Sequence, residues 1–141
     1  MTFTRTGKIS TFGGPQDYGM TRTEGLALIE PEDLRDPWFS RLFLDGTGGL
    51  GRRLNPRCFY VACRWNYILT PRKILRKCYA LVEANGKKEV ARLVDWGPNS
   101  RTGRAMDLSP GLAKALGLRT DDEATLTLLD DQLKPLCLCP P

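Results

Sequence analysis

Asn85-Gly86 stands between two runs rich in strand formers, Cys78-Tyr79-Ala80-Leu81-Val82-Glu83-Ala84 and Lys87 to Val94. Both central residues of a type I′ turn need positive φ, which Asn and Gly tolerate best, so the pair predicts a tight antiparallel hairpin. The second strand carries Val90, Leu93 and Val94 directly into Asp95, and Trp96-Gly97-Pro98 follows at once. A carboxylate is thereby placed at a rigid strand end beside a turn, where a site can be held accurately. A second carboxylate, Asp107, comes twelve residues later, just before a helix start.

That helix is marked at both ends. Ser109 is a capping residue, Pro110 suits a first turn, Leu112, Ala113, Leu116 and Leu118 give an apolar face, and Gly117 ends it. Ala124 to Leu129 alternates and reads as a strand, with Thr125 and Thr127 opposite Leu126 and Leu128. Upstream, Cys58 to Trp65 is rich in β-formers, and Lys8 to Phe12 alternates before the turn-rich Gly13-Gly14-Pro15. Thr21-x-x-Glu24 has the form of a capping box and predicts a short helix through Leu26, Leu28 and Ile29, stopped by Pro31. Another helical turn is expected at Pro31-Glu32-Asp33-Leu34. Asp45 to Pro56, rich in glycine and arginine, lacks the Gly-Lys-Ser/Thr ending of a phosphate-binding loop and reads as a surface loop.

The run from residue 90 to 129 resembles the double-psi β-barrel of the rare lipoprotein A family, whose relatives include expansins and barwin-like proteins. The matching residues are Asp95, Gly97, Pro98, Gly103, Arg104, Asp107, Leu108, Ser109, Ala113, Leu116 and Gly117. The resemblance implies a mainly β fold, a six-stranded double-psi barrel with one or two short helices and long loops. It also implies a groove for a peptidoglycan glycan strand with Asp95 at its floor. Trp96 stands where the family has arginine, and Val61-Ala62-Cys63 corresponds to its Ala-Ala-His segment in a chain with no histidine. Thr21-Arg22-Thr23-Glu24-Gly25 is a loose counterpart of the segment that carries the family's N-terminal acid.

The 141 residues suit one domain over 1–141, best supported at 78–129, with a loop-rich insertion at about 30–57 and a proline/cysteine tail at 130–141. No signal-peptide-like run follows Met1 and no apolar run spans a membrane, so virion association or a non-Sec route to the periplasm or cell wall is expected. The formal net charge of +5 favours an anionic partner. Arg52, Arg53, Arg57, Arg64, Arg72, Lys73, Arg76 and Lys77 interleave with Phe59, Tyr60, Trp65 and Tyr67. That mixture suits a sugar polymer or, less favoured, a nucleic-acid strand. A solvated basic loop over core aromatics accounts for it equally well.

The five cysteines form no CxxC pair, and neither metal nor cofactor is expected. Buried thiols are the simplest account of Cys58, Cys63 and Cys78, with Cys63–Cys78 or Cys58–Cys78 bridges open outside the cytoplasm. Cys137 and Cys139, in the tail, are read as exposed or docked on a neighbouring chain.

The expected catalytic candidates are Asp95, Asp107 and Glu24, and the expected substrate-binding residues are Trp96, Arg104, Tyr60 and Trp65. The resemblance implies a lytic transglycosylase, in which one carboxyl serves first as acid and then as base, a role that needs its pKa raised by burial. An inverting hydrolase needs two carboxyls. Asp107 also suits a purely structural role beside Arg104, and Asp95 a turn-stabilising one. The alternative to an enzyme is a structural or binding module, such as a phage virion component, with virion or secretion-machine proteins as partners.

Overall fold

The computed structural model describes residues 3–14, 17, 26–35, 40–44, 54–130 and 138–139. Six strands, β1 (Thr4–Thr11), β2 (Tyr60–Cys63), β3 (Tyr79–Ala84), β4 (Lys87–Asp95), β5 (Arg104–Leu108) and β6 (Glu123–Leu129), close into a barrel in the order β1-β5-β2-β4-β3-β6. β1 runs parallel to β5 and β2 parallel to β4, and the remaining neighbours are antiparallel. Among the described residues two short α-helices accompany the strands, α1 (Arg72–Leu75) and α2 (Pro110–Leu116). The fold is mainly β, as expected, and its closed ring is compatible with a double-psi barrel.

The local signals explain most of this. Asn85 and Gly86 take φ of 53° and 72°, so the hairpin of β3 and β4 turns as the dipeptide predicts. The Ser109 hydroxyl accepts the Leu112 N–H at 3.2 Å, and Gly117 closes α2 in the left-handed region. In β6, Ala124, Leu126 and Leu128 point inward and Thr125 and Thr127 outward. They pack with Ile9, Val61, Cys63, Ala80, Val82, Leu93, Met106 and Leu108 in the main core, to which α2 adds Leu112, Ala113 and Leu116.

A second apolar cluster forms on the other face of β2. Val61 and Cys63 belong to the main core, whereas Tyr60 and Ala62 pack with Phe12, Leu26, Leu42, Phe43, Leu54, Cys58 and Val94. Strand alternation puts these two sets on opposite faces. β2 is therefore buried on both sides, which is why its sequence reads as a continuous apolar run.

Several expectations change. β1 begins at Thr4, not Lys8, because its polar first half faces solvent while still pairing with β6, where Thr6 Oγ1 and Thr125 Oγ1 lie 3.0 Å apart. β2 is shorter than Cys58–Trp65 because Cys58 N–H turns back to the Asn55 carbonyl at 3.0 Å. Thr21 and Glu24 lie outside the described residues. Residues 26–30 form a turn, not the expected helix, because Ala27 and Leu28 donate their N–H groups to the end of β4. The 3-10 helix Pro31–Arg35 does form where expected. Residues 45–53 of the glycine-rich loop are likewise outside the described set, but Leu54 is fully buried and bridges Phe43.

The cysteine pairing also differs from both expected bridges. Cys58 is bonded to Cys139, 81 residues away in sequence, so the tail returns to its own chain and buries Leu138. Cys63 and Cys78 are buried thiols outside any disulfide, and burial pushes the Cys63 thiol up to about 12 against the opposing pull of Arg5 and Arg64. Closing a loop of that length stabilises a fold by about 4 kcal/mol in the chain-entropy account. Cys58→Ser is expected to lower the denaturation free energy by up to that amount. Non-reducing peptide mapping should recover the Cys58–Cys139 peptide, with Cys63 and Cys78 resisting alkylation until the protein is unfolded.

Candidate functional site

The two carboxylates predicted from the sequence come together across β2. Ala62 is in register with Asp95 on β4 and with Asp107 on β5, and Ser10 on β1 is in register with Asp107. Residues in register share a face, so Ser10, Asp107, Ala62 and Asp95 form a row across four adjacent strands. The β2–β4 register slips by one residue at Ala62, so Val94 and Asp95 both lie opposite it. Such a bulge re-aims a side chain at a strand end. Two strand spacings separate the Asp95 and Asp107 backbones, roughly 9–10 Å.

Asp95 is half-buried at the end of β4, and its Oδ1 accepts the Ala27 N–H at 2.9 Å. Leu28 N–H donates to the Val94 carbonyl at 3.0 Å, which lays segment 26–28 over the strand end. This segment is held from α1. Arg72 Nε donates to the Ala27 carbonyl at 3.0 Å and its guanidinium pairs with Glu30. Arg76 donates to the Leu28 carbonyl at 2.7 Å and makes a two-pronged pair with Asp33, both contacts at 2.9 Å. Arg92, buried on β4 with its guanidinium 5.2 Å from the centre of the Tyr79 ring, donates to the Arg76 carbonyl.

A further arginine ties the loop after Asp95 to the strand that carries Asp107. Arg64 donates to the Pro98 carbonyl at 2.6 Å and to the Arg104 carbonyl at 2.9 Å. Part of the basic run between residues 52 and 77 is thus a set of clamps on carbonyl oxygens. Arginine suits that work because its planar fork offers several donors in fixed directions. Sequence reading left these cations open between a polymer surface and a solvated basic loop, and missed their structural partners. No local signal was available, since Arg76 and its partner Asp33 are 43 residues apart and meet only once the chain is folded.

The predicted ligand-binding residues separate into two groups. Trp96 is 47% exposed next to Asp95, and its indole N–H donates to the Trp65 carbonyl at 3.0 Å, which fixes the ring. Arg104 is half-buried and pairs with Asp121 at 2.9 Å, with Asp107 adding to the field that keeps the guanidinium charged. Tyr60, by contrast, is a core residue. It is fully buried, its hydroxyl donates to the Phe12 carbonyl at 2.9 Å, and its ring meets Phe12 edge-on. Gly13, at φ 86°, makes room for it, since a Cβ there would lie 2.0 Å from the Tyr60 hydroxyl. Trp65 is also buried, with its indole N–H lacking a hydrogen-bond partner among the described residues. Neither ring presents a face to a ligand. Glu24 lies outside the described residues.

Among the described residues there is no group of three or more His, Cys, Asp or Glu placed to hold a metal ion, and no helix is long and apolar enough to cross a membrane.

The Arg76–Asp33 pair gives a pH-dependent test of this support. Burial raises the Asp33 pKa, but the hydrogen bonds from Arg76 and the Glu30 N–H outweigh it and hold the carboxyl below 3.8. A depressed folded-state pKa adds stability above the unfolded value, and that stability is lost as pH falls through the folded one. Asp33→Asn is expected to cost about 1–3 kcal/mol at neutral pH. In urea titrations the gap between the two proteins should close as the pH drops below 3.8.

No protein-family model matches the chain, and no curated protein matches it either.

Proposed function

We infer that the protein engages the glycan strands of peptidoglycan at its half-buried carboxylates Asp95 and Asp107, which flank the buried Ala62, as a reduced form of a lytic transglycosylase. The observation that carries this reading is the registration of both carboxylates to Ala62 beside an exposed, anchored Trp96. The likeness of residues 90–129 to the rare lipoprotein A barrel supports it. So does the Cys58–Cys139 disulfide, since such bonds persist in oxidising compartments such as the periplasm or the cell surface.

In this reading Trp96 stacks on a sugar ring, leaving Asp95 to act on the glycosidic bond. The Asp95 carboxyl gives its proton to the bridging oxygen as the bond to the anomeric carbon breaks. The resulting carboxylate takes the proton of the sugar's own 6-hydroxyl, whose oxygen closes onto the anomeric carbon. The products are an anhydro-sugar end and a shortened strand, and Asp95 is again protonated. The Ala27 N–H orients the group throughout. Asp107 lies on the next strand but one, and an inverting hydrolase would need its carboxyl roughly 6.5–9.5 Å from that of Asp95.

A second reading, a binding module without catalysis, is favoured by a specific observation. Cys63, which occupies the position corresponding to the family's histidine, faces the main core, and its thiol is pushed up to about 12. It offers no substitute acid or base. A virion or secretion-machine component is the setting for that reading.

Purified sacculi incubated with wild type, Asp95→Asn, Asp107→Asn and Trp96→Ala separate these readings by mass spectrometry of the released fragments. For a transglycosylase, anhydro-sugar products appear with wild type and fall by about 100-fold or more with Asp95→Asn, while Asp107→Asn retains most activity. Equal losses in both acid variants, with reducing-end products from wild type, identify the hydrolase. Sacculus binding that survives Asp95→Asn and fails with Trp96→Ala, with no products, identifies the binding module.

A further inference from the structure

Four of the five large apolar side chains exposed among the described residues lie between Tyr67 and Ile74. Tyr67, Ile68, Leu69 and Ile74 are 46%, 90%, 65% and 42% exposed, and Trp96 is the fifth, at 47%. Ile68 and Leu69 occupy the apex of a built turn. The Asn66 side chain accepts the Ile68 N–H at 2.8 Å, and its carbonyl accepts those of Leu69 and Thr70 at 3.1 and 2.8 Å. Behind the apex Thr70 and Leu75 are buried. The Trp65 ring, itself buried, meets Tyr67 edge-on at 5.7 Å, and its carbonyl accepts the Trp96 indole N–H.

Its charge is one-sided. Between Asp45 and Glu83 the sequence has no acidic residue and eight arginines and lysines. Arg64, Arg72 and Arg76 serve the site loops, whereas Lys73 and Lys77 are exposed. Lys73 lies on α1 beside Ile74, and Lys77 follows two residues beyond its end. Of the acids next to α1, Glu30 and Asp33 are paired with Arg72 and Arg76, and the field of exposed Glu32 acts on Arg76 as well.

Each component has a place at a lipid surface. Aliphatic tips enter the acyl boundary, Trp and Tyr rings settle at headgroup level, and lysines meet anionic headgroups. A nucleic-acid strand would use the aromatics and cations but has no place for Ile68 and Leu69. A second copy meeting this patch with itself would bring Lys73 and Lys77 against the same charges. We propose that the turn Asn66–Thr70 and the exposed side of α1 form a peripheral docking surface for an anionic lipid bilayer. This does not depend on the glycan reading.

The test is co-sedimentation of the intact protein with vesicles of phosphatidylcholine alone and with roughly one-third phosphatidylglycerol. Wild type is expected to partition onto the anionic vesicles, weakening as salt is raised, and to leave the neutral ones largely unbound. Ile68→Ser/Leu69→Ser should reduce partitioning by about tenfold or more, with an unchanged circular dichroism spectrum because both side chains are outside the core. Lys73→Glu/Lys77→Glu should remove the preference for anionic vesicles. Absence of binding to either vesicle at low salt would overturn the proposal, as would binding that the Ile68/Leu69 variant leaves intact. So would a wild-type dimer that this variant converts to monomer without any lipid binding.

Discussion

The double pairing of β2 is the constraint on which the rest of the structure depends. This four-residue strand is bonded to β4 on one side and β5 on the other, and both of its faces are buried. Its inward residues complete the barrel core. Its outward residues, Tyr60 and Ala62, lie under the second apolar cluster and leave a small side chain between two acids. A larger residue than Ala62 would stand between Asp95 and Asp107 and crowd the second cluster as well. The slip in register beside Ala62 then turns Asp95 onto the same face as Asp107.

Around that strand the supporting interactions are polar and directional. Arg64, Arg72 and Arg76 each reach backbone carbonyls of loops that pass the candidate site. Loops carry backbone polar groups that must find partners when water is excluded, and a guanidinium supplies several donors from one side chain. The cost is that these cations are no longer a diffuse binding surface. The Cys58–Cys139 bridge acts on the same region from the far end of the chain, since Cys58 lies two residues before β2 and packs with Tyr60 and Ala62.

Placing Trp96 at the end of β4 links the carboxylate row to the exposed apolar patch. Its indole is fixed by the Trp65 carbonyl, and Trp65 leads into the turn that raises Ile68 and Leu69. A protein acting on a wall polymer next to a membrane would gain from this arrangement, because docking the patch holds the neighbouring row close to the bilayer. The two surfaces are nonetheless separable, since Ile68 and Leu69 lie on the turn between β2 and α1, outside both carboxylate strands.

What the sequence determined by itself was local. Asn85-Gly86 set the hairpin through its positive φ values, Ser109 and Gly117 bounded α2, and alternation in residues 124–129 set which side of β6 faces the core. The likeness over residues 90–129 identified a barrel and both candidate acids. Tertiary structure decided what depends on distant partners. Tyr60 and Trp65 have the chemistry of ligand-stacking residues, but their burial follows from Phe12, Gly13 and the barrel interior, none of them near in sequence. Segment 26–30 was not the predicted helix, because the N–H groups of Ala27 and Leu28 are taken by Asp95 and Val94. Cysteine pairing could not be read from spacing, as it depends on how the tail returns past β2. Local propensity reads backbone preferences over a few residues, whereas registration, burial and charge pairing are settled only when strands far apart in the chain become neighbours.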